Sequence, residues 1–313
     1  MSDWKILITD GLKENGKEIL SARAHVDDRP GIQPEQLLQI APAYDALIVR
    51  GRTKVNAELL NSARRLKIIG RAGVGVDNID VQSARLRGIK VVNAPTASSR
   101  SVAELTIGLL FALARSIPFA SSQMKSGYWP KKQLSGVELH GKIIGVIGVG
   151  NIGSLVASMA SGLGMVVLGC DNCKPTIQIE SSGAEATSLK NVYSSSDFLT
   201  FHIPITGETR GMIDRIAVGQ MKQGVYIVNT SRGGIIDEAA LLEGLNSGRI
   251  AGAALDVFSQ EPPGASALVT HPNVIATPHI GAQTWAASLR IAEDIAEEVL
   301  AALEGKPLRW EII

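Results

Sequence analysis

The chain lacks an excess of charge of either sign, a long hydrophobic run and an N-terminal signal. Its formal net charge is +1 with no basic tail or stripe, so nucleic-acid binding has no electrostatic support. The longest apolar run, around Ile107–Leu113, is shorter than a membrane span and is bracketed by Glu104 and Arg115. The N-terminal residues lead directly into a strand pattern, without a basic region or a cleavage site. We therefore expect a cytoplasmic protein that binds neither membranes nor nucleic acid.

Cysteine is also scarce, since only 2 of the 313 residues are cysteines. Cys170 and Cys173 have the C-x-x-C spacing of redox and metal sites. No second pair exists, however, and no histidine lies nearby in sequence to complete a zinc site. We therefore expect two reduced thiols and no metal.

Strand patterns alternate with helix patterns along most of the chain, which predicts an α/β fold with parallel sheets. A length of 313 residues favours two domains, and 45% hydrophobic residues suffice for their cores. A complete α/β segment precedes the glycine-rich motif described below, and the alternation then continues. A long helix pattern over 284–304 can return to the first domain. We expect one discontinuous domain, 1–97 with 285–313, and a second domain at 98–284.

The sequence 142–153 reads as a buried strand, a glycine turn and the start of a helix. Gly148, Gly150 and Gly153 form G-x-G-x-x-G. The first glycine permits a tight turn, the second lets a pyrophosphate approach the backbone, and the third lets the helix pack close to the strand. The next strand pattern ends at Asp171, about 20 residues further on, where an acid binds the adenosine ribose. Because a carboxylate repels a 2′-phosphate, the cofactor expected is NAD rather than NADP.

Hydride transfer needs a partner group that handles a proton, and histidine is the usual choice. Of the 5 histidines, His202 ends one strand pattern and His279 follows another, at the sheet edge where ligands bind. The others lie in turn-like or loop surroundings. Arg232 and Glu261 follow two further strand patterns at the same edge. An arginine there suits a carboxylate, and an acid can orient a histidine ring. Solvated loop charges are the alternative for Arg232 and Glu261.

Several longer motifs resemble the D-isomer-specific 2-hydroxyacid dehydrogenase family over nearly the whole chain. They are the glycine-rich motif at Gly148 and the segments 70–78, 229–237, 253–258, 261–263 and 278–282. The resemblance implies a Rossmann NAD domain inserted in a flavodoxin-like substrate domain. It also implies that His279 exchanges the hydroxyl proton, Glu261 holds His279, and Arg232 binds the substrate carboxylate.

The resemblance further implies the residues that contact the ligands. NAD would be bound by Gly148, Gly150, Asn151, Ile152, Gly153, Asp171, Ile203, Thr230, Ser231, Arg232, Asp256, His279, Gly281 and Ala282, with Asp256 on the nicotinamide amide. A small anionic 2-hydroxy acid would be bound by Arg50, Arg71, Val74, Gly75, Arg232 and His279, and by Lys131 of a neighbouring subunit. Arg50 and Arg71 match phosphate-binding positions, which favours 3-phospho-D-glycerate as substrate; ion pairs alone are the alternative role for both arginines. Relatives often carry Gly-Asn near the substrate where this chain has Ala97-Ser98, so the chain departs from the family pattern in this loop.

Alternatives within the family are a glyoxylate/hydroxypyruvate reductase or another D-2-hydroxyacid dehydrogenase, and a remoter one is an NAD-sensing corepressor-like protein. The segment Ser101–Glu104 reads as a capping box before an apolar helix that ends near Ile117. An aromatic arm at 126–132 follows, which suggests a homodimer contact; an ordinary folded loop is the alternative. Longer relatives add a C-terminal regulatory domain after the long helix. We expect none here, and therefore no feedback inhibition by serine through it.

Overall fold

The computed structural model describes residues 3–313, which form two compact units. The first unit is the stretch that ends at Ser98 together with Ala282–Ile313, and the second is Ser99–Gly281. Each unit is an α/β structure with its own parallel sheet.

The first unit contains a five-stranded sheet in which all pairs are parallel. Its strands are β1 (Lys5–Ile8), β2 (His25–Asp28), β3 (Ala46–Val49), β4 (Ile68–Arg71) and β5 (Lys90–Asn93). The spatial order is β2-β1-β3-β4-β5, which is the flavodoxin-like order. The strands β1 and β3 are fully buried except at Lys5, as expected for a sheet covered on both faces.

Five helices cover this sheet. They are α1 (Glu14–Ser21), α2 (Pro34–Ile40), α3 (Ala57–Ser62), α4 (Val81–Leu86) and the long α12 (Trp285–Leu303). Two glycines let α12 pack closely against the rest of the unit. A Cβ on Gly70 would lie 2.7 Å from Val299, and a Cβ on Gly16 would lie 2.6 Å from the Ala292 carbonyl oxygen. The helix therefore packs directly on β4 and on α1.

The second unit contains a seven-stranded sheet, again with all pairs parallel. Its strands are β6 (Ile143–Ile147), β7 (Val166–Cys170), β8 (Glu185–Ala186), β9 (Phe198–Phe201), β10 (Val225–Asn229), β11 (Ile250–Leu255) and β12 (Val274–Ala276). The spatial order β12-β11-β10-β9-β6-β7-β8 is the Rossmann order with one more strand at its edge. The fold class expected from the sequence is confirmed.

Seven helices belong to the second unit. They are α5 (Ser99–Ala114), α6 (Ile117–Lys125), α7 (Gly153–Gly162), α8 (Thr176–Glu180), α9 (Leu189–Ser195), α10 (Arg215–Gln220) and α11 (Glu238–Asn246). Side chains of Ser188, Asp214 and Asp237 cap the starts of α9, α10 and α11 by accepting backbone N–H groups. No single described helix is long and apolar enough to cross a membrane; α5 and α6 pass that test only as a pair bent by 65°.

Two local predictions were wrong. The capping box expected at Ser101–Glu104 lies inside α5, which begins at Ser99. The first turn of α5 is polar, so the apolar pattern that predicted the helix starts only after that turn. His25, expected in turn-like surroundings, lies in the edge strand β2, whose sequence His-Val-Asp-Asp has no apolar pattern. The apolar helix expected to end near Ile117 ends at Ala114, and Ile117 instead begins α6, which has Pro118 in its first turn.

Candidate active site

The glycine-rich motif joins β6 to α7 and has the space that a dinucleotide needs. Gly148 adopts φ 88°, and a Cβ there would lie 2.6 Å from the His202 carbonyl oxygen. A Cβ on Gly153 would lie only 1.9 Å from the Gly148 carbonyl oxygen. Around Gly150, by contrast, nothing lies within 4 Å of a Cβ. The outer glycines therefore serve the fold, and the middle one leaves its backbone open to a ligand.

Asp171 follows β7 and its carboxylate is fixed by two backbone groups. One oxygen accepts the Val149 N–H at 2.8 Å, and the other accepts the Cys173 N–H at 2.8 Å. The side chain is only partly buried, and each carboxylate oxygen can accept a second hydrogen bond. The glycine turn and an oriented acid thus lie next to each other, and this arrangement fits the phosphates and the ribose of NAD.

The proton-transfer pair comes from two loops beyond the carboxyl ends of β11 and β12. His279 Nδ1 lies 2.8 Å from Glu261 Oε2, and Glu261 Oε1 accepts the Phe258 N–H at 3.1 Å. Glu261 is therefore held by the backbone on one side and holds the imidazole on the other. The side chain of His279 is 52% exposed, so its second ring nitrogen, Nε2, is available to a ligand.

Asp256, directly after β11, holds the backbone that carries His279. It is fully buried and accepts hydrogen bonds from the Thr277 hydroxyl at 2.6 Å and from the N–H groups of Ile280 and Gly281 at 2.8 Å. His279 itself has φ 53°, in the left-handed region that non-glycine residues rarely adopt. The Asp256 carboxylate offsets this cost by fixing the residues on both sides. Its expected contact with the nicotinamide amide stays a prediction.

Arg232 lies in the loop after β10, and that loop is fixed by Asn229. The Asn229 side chain accepts hydrogen bonds from the Ser231 N–H and hydroxyl and donates one to the Arg232 carbonyl. A Cβ on Gly233 would lie 1.8 Å from the Phe258 carbonyl oxygen. Because Phe258 also binds Glu261, the loops that carry Arg232 and Glu261 are packed against each other.

His202, the other leading histidine, is not a suitable acid–base group. Its Nε2 lies 3.0 Å from the Thr200 hydroxyl, and its Nδ1 is buried. Burial lowers the pKa of His202 to about 3, so the ring is neutral at physiological pH. The structure therefore distinguishes His279 from His202 as the acid–base candidate, which the sequence alone did not do.

The remaining expected NAD residues lie in the glycine turn or in the loops after β9, β10 and β12. Ile203 packs against Gly148, Thr230 accepts or donates a 2.8 Å hydrogen bond with Thr106, and Gly281 lies beside Asp256. Also in these loops are Asn151, Ile152, Ser231 and Ala282. The last of these begins the segment assigned to the first unit.

The expected substrate residues of the first unit lie at the carboxyl edge of its sheet. Val49 pairs with Arg71, so Arg50 directly follows β3 where Arg71 ends β4. The Arg71 guanidinium lies against Gly73, where a Cβ would come within 1.7 Å of Arg71 Nη1, so glycine leaves the room that the guanidinium occupies. Val74 and Gly75 follow in the loop after β4. In the second unit, Lys131 is exposed in a short 3-10 turn, Lys131–Gln133.

Sequence reasoning missed the part played by Thr277 and by the loop backbone around His279. The only available signal was a threonine just after a strand, which is too common to interpret. Among residues 3–313, no cluster of three or more histidine, cysteine or acidic side chains is arranged to hold a metal.

Comparison with known proteins identifies the family. Residues 107–281 match the family model described as D-isomer specific 2-hydroxyacid dehydrogenase, NAD binding domain. A D-3-phosphoglycerate dehydrogenase of Methanocaldococcus jannaschii is 46% identical over 303 residues, which are 96% of this chain and 58% of that protein. The chain thus spans little more than half the length of the curated relatives that it matches.

Solved structures agree with this assignment. A crystal structure of a Thermus thermophilus protein has a TM-score of 0.91 and 32% identity, covering 99% of this chain and 100% of its own. A D-lactate dehydrogenase from Aquifex aeolicus, complexed with NAD and lactic acid, has a TM-score of 0.84 and 30% identity, with 96% of both chains covered. The glycine turn and Asp171 fit the same cofactor. This chain therefore belongs to the D-isomer-specific 2-hydroxyacid dehydrogenase family, and its cofactor is NAD.

Proposed function

We propose that the protein oxidises 3-phospho-D-glycerate to 3-phosphohydroxypyruvate with NAD, the first step toward serine. The observation that carries the reaction type is the 2.8 Å contact between His279 and Glu261, in the same unit as the glycine turn. The substrate is supported by Arg50 and Arg71 at the edge of the first unit's sheet, and by the name of the M. jannaschii relative.

His279 is the proposed acid–base residue. Its Nδ1 faces Glu261, so Nε2 is the atom that would take the proton from the C2 hydroxyl and return it in the reverse direction. Bound NAD supplies the acceptor for the C2 hydride. Glu261 fixes the orientation of the ring through its contact with Nδ1, which is the role expected of the acid in such a pair.

Arg232 is the proposed carboxylate-binding residue. Its guanidinium can form two parallel hydrogen bonds with a carboxylate and can polarise the C2 oxygen as charge develops there. Its backbone is held by Asn229, so the side chain begins from a fixed position. Val74 and Gly75 would add backbone N–H groups to the same carboxylate.

Arg50, Arg71 and Lys131 are the proposed phosphate-binding residues. Guanidinium groups are always charged and suit the oxygens of a phosphate. We assign substrate binding to residues 1–97 with 285–313, and NAD binding to residues 98–284. Lys131 would act from a second subunit, which requires a dimer.

A homodimer is supported by an apolar surface of the second unit. Six large side chains between residues 111 and 129 are 39–74% exposed: Phe111, Ile117, Phe119, Met124, Tyr128 and Trp129. Large apolar side chains that are exposed in one segment of the chain favour a protein interface there. Sedimentation velocity on the wild type and on a Phe119→Glu/Trp129→Glu variant tests the assignment; the variant should sediment as a monomer. A cytoplasmic location remains a further part of the proposal.

An unphosphorylated 2-hydroxy acid is the alternative substrate. Ala97 and Ser98, which replace the Gly-Asn of many relatives, are buried at 4% and 1% exposure, and the Ala97 carbonyl accepts a hydrogen bond from Arg290. These two side chains are therefore used in packing. The alternative would resemble the lactate enzyme of A. aeolicus or a glyoxylate/hydroxypyruvate reductase.

One side-by-side assay tests the proposal. NADH formation is followed with 3-phospho-D-glycerate, D-glycerate and D-lactate at equal concentrations. We expect the highest kcat/KM with the phosphorylated acid, and we expect Arg50→Ala to reduce that value about tenfold or more while changing D-glycerate little. A preference for D-glycerate or D-lactate would replace the proposed substrate with the alternative.

A further inference from the structure

A cavity of about 230 Å³ lies within the first unit, at the point where the strand order of the sheet reverses. The strands β1 and β3 are neighbours, but β1 leads to β2 on one side and β3 leads to β4 on the other. In open α/β sheets a crevice forms at such a point, beyond the carboxyl ends of the strands, and ligands bind there. The polar lining residues are Asp10, Lys13, Arg50 and Ser288.

The one acid of this cavity is already neutralised. Asp10 forms a salt bridge with Arg52 at 3.1 Å. It also accepts hydrogen bonds from the Thr53 hydroxyl at 2.7 Å and from the Arg50 N–H at 2.7 Å. Its side chain is only 5% exposed. Asp10 therefore organises the loop after β3 and adds little negative charge to the space in front of it.

The two cations of the cavity have no such partner. Within residues 3–313, the described salt bridges include neither Lys13 nor Arg50. The Lys13 ammonium lies 3.9 Å from the centre of the Trp285 ring, a contact that orients its side chain without neutralising its charge. Ser288, one turn further along α12, adds a hydroxyl. The lining thus offers two positive charges and a hydrogen-bond donor to an anion.

We propose that this cavity holds the phosphate of the substrate and that Lys13, together with Arg50, selects phosphorylated over unphosphorylated 2-hydroxy acids. The inference rests on the proposed function. A volume of about 230 Å³ accommodates a phosphate with its ester oxygen and is below the ~300–1,000 Å³ of sites for larger organic ligands. A dianion is the ligand that benefits most from two cations, since each adds a charge-assisted hydrogen bond.

The kinetic test compares two lysines of the same segment. Lys13→Met keeps an unbranched apolar side chain and removes the charge, whereas Lys17→Met is the control, because Lys17 pairs with Glu14 and Asp28 outside the cavity. We expect Lys13→Met to raise KM for 3-phospho-D-glycerate about tenfold, with kcat and the KM for D-glycerate little changed. Lys13→Arg should restore most of the affinity. Equal KM changes on both substrates, or none, would overturn the inference.

A binding measurement separates this inference from the proposed function. Inorganic phosphate is titrated against each variant and followed by ³¹P NMR, at low and at high salt, after thermal melts have shown that the variants are folded. Phosphate binding that weakens in Lys13→Met and with salt, in a protein that does not oxidise phosphoglycerate, would retain the cavity and reject the function. Normal turnover with unchanged phosphate binding would reject the cavity alone. Weaker phosphate binding with an unchanged substrate KM would show a site for free phosphate only, and would also reject the inference.

Discussion

Alanine substitutions at three glycines of one segment should separate the needs of the fold from the needs of the cofactor. Gly153 is the last glycine of the motif, Gly150 is its middle glycine, and Gly162 ends the helix that follows. A Cβ would lie 1.9 Å from a carbonyl oxygen at Gly153, but would have nothing within 4 Å at Gly150 or Gly162. The same chemical change therefore meets three different environments.

The expected magnitudes follow from those distances. A Cβ at 1.9 Å forces α7 away from β6, so Gly153→Ala should reduce the free energy of unfolding by about 1–3 kcal/mol or more. Gly162→Ala should increase it by up to about 1 kcal/mol, because alanine loses less backbone entropy in a helix. Gly150→Ala should change it by less than about 0.5 kcal/mol. Its added methyl group occupies the place of a phosphate, so it should weaken NAD binding about tenfold or more.

Two assays give the result. Urea unfolding followed by circular dichroism measures stability, and calorimetric titration with NAD measures affinity. The diagnostic variant is Gly150→Ala, which should unfold at the same urea concentration as the wild type but bind NAD poorly. Gly162→Ala should lower neither the stability nor the NAD affinity. Normal NAD affinity in Gly150→Ala would refute the placement of the pyrophosphate at this turn. Wild-type stability in Gly153→Ala would refute the argument from close packing.

Three further outcomes are expected. His279→Ala should lower kcat by roughly 100-fold or more, the scale of general acid–base catalysis, and near-normal turnover in the NAD-linked assay would remove its role. Asp171→Asn keeps an acceptor for the Val149 N–H but loses the charge, so the ratio of NAD to NADP affinity in titrations should fall; an unchanged ratio would mean that another residue reads the ribose. His202, whose folded-state pKa is about 3, is stabilising above the unfolded-state pKa of about 6.5, and this stability is lost as pH falls toward 3. We expect a loss of about 2 kcal/mol between about pH 7.5 and 5. In urea titrations, the free energy of unfolding should depend less on pH in His202→Gln than in the wild type. The control His140→Gln, at an exposed position, should retain the pH dependence of the wild type.

Regular apolar patterns made much of the fold predictable. The long helix was predicted over 284–304, and the structure has it at Trp285–Leu303 with Thr284 and Glu304 as its caps. The strand β2 was not predicted, because it is an edge strand with exposed polar residues. Such a strand is specified by its neighbour β1 rather than by its own sequence.

The candidate site was predictable in its residue types and less so in its geometry. Histidine, glutamate and arginine after three strand patterns could be placed at one sheet edge by topology alone. Which histidine is accessible could not, because burial of the His202 Nδ1 depends on packing around β9 that has no local sequence signal. The hydrogen bonds of Asp256 join residues more than 20 positions apart, and these also have no local signal.

The position of His279 depends on two acids with separate tasks. The strand β12 is short and only partly buried, so packing does little to fix the loop that follows it. Asp256 accepts hydrogen bonds from the backbone of that loop, and Glu261 binds the imidazole itself. Both acids follow β11 within six residues. That strand pairs with β10 and β12 and is largely buried, which gives the two acids a rigid support. The left-handed φ of His279 is then a consequence of this support. The backbone accepts an unfavourable conformation at the one residue whose ring must reach Glu261.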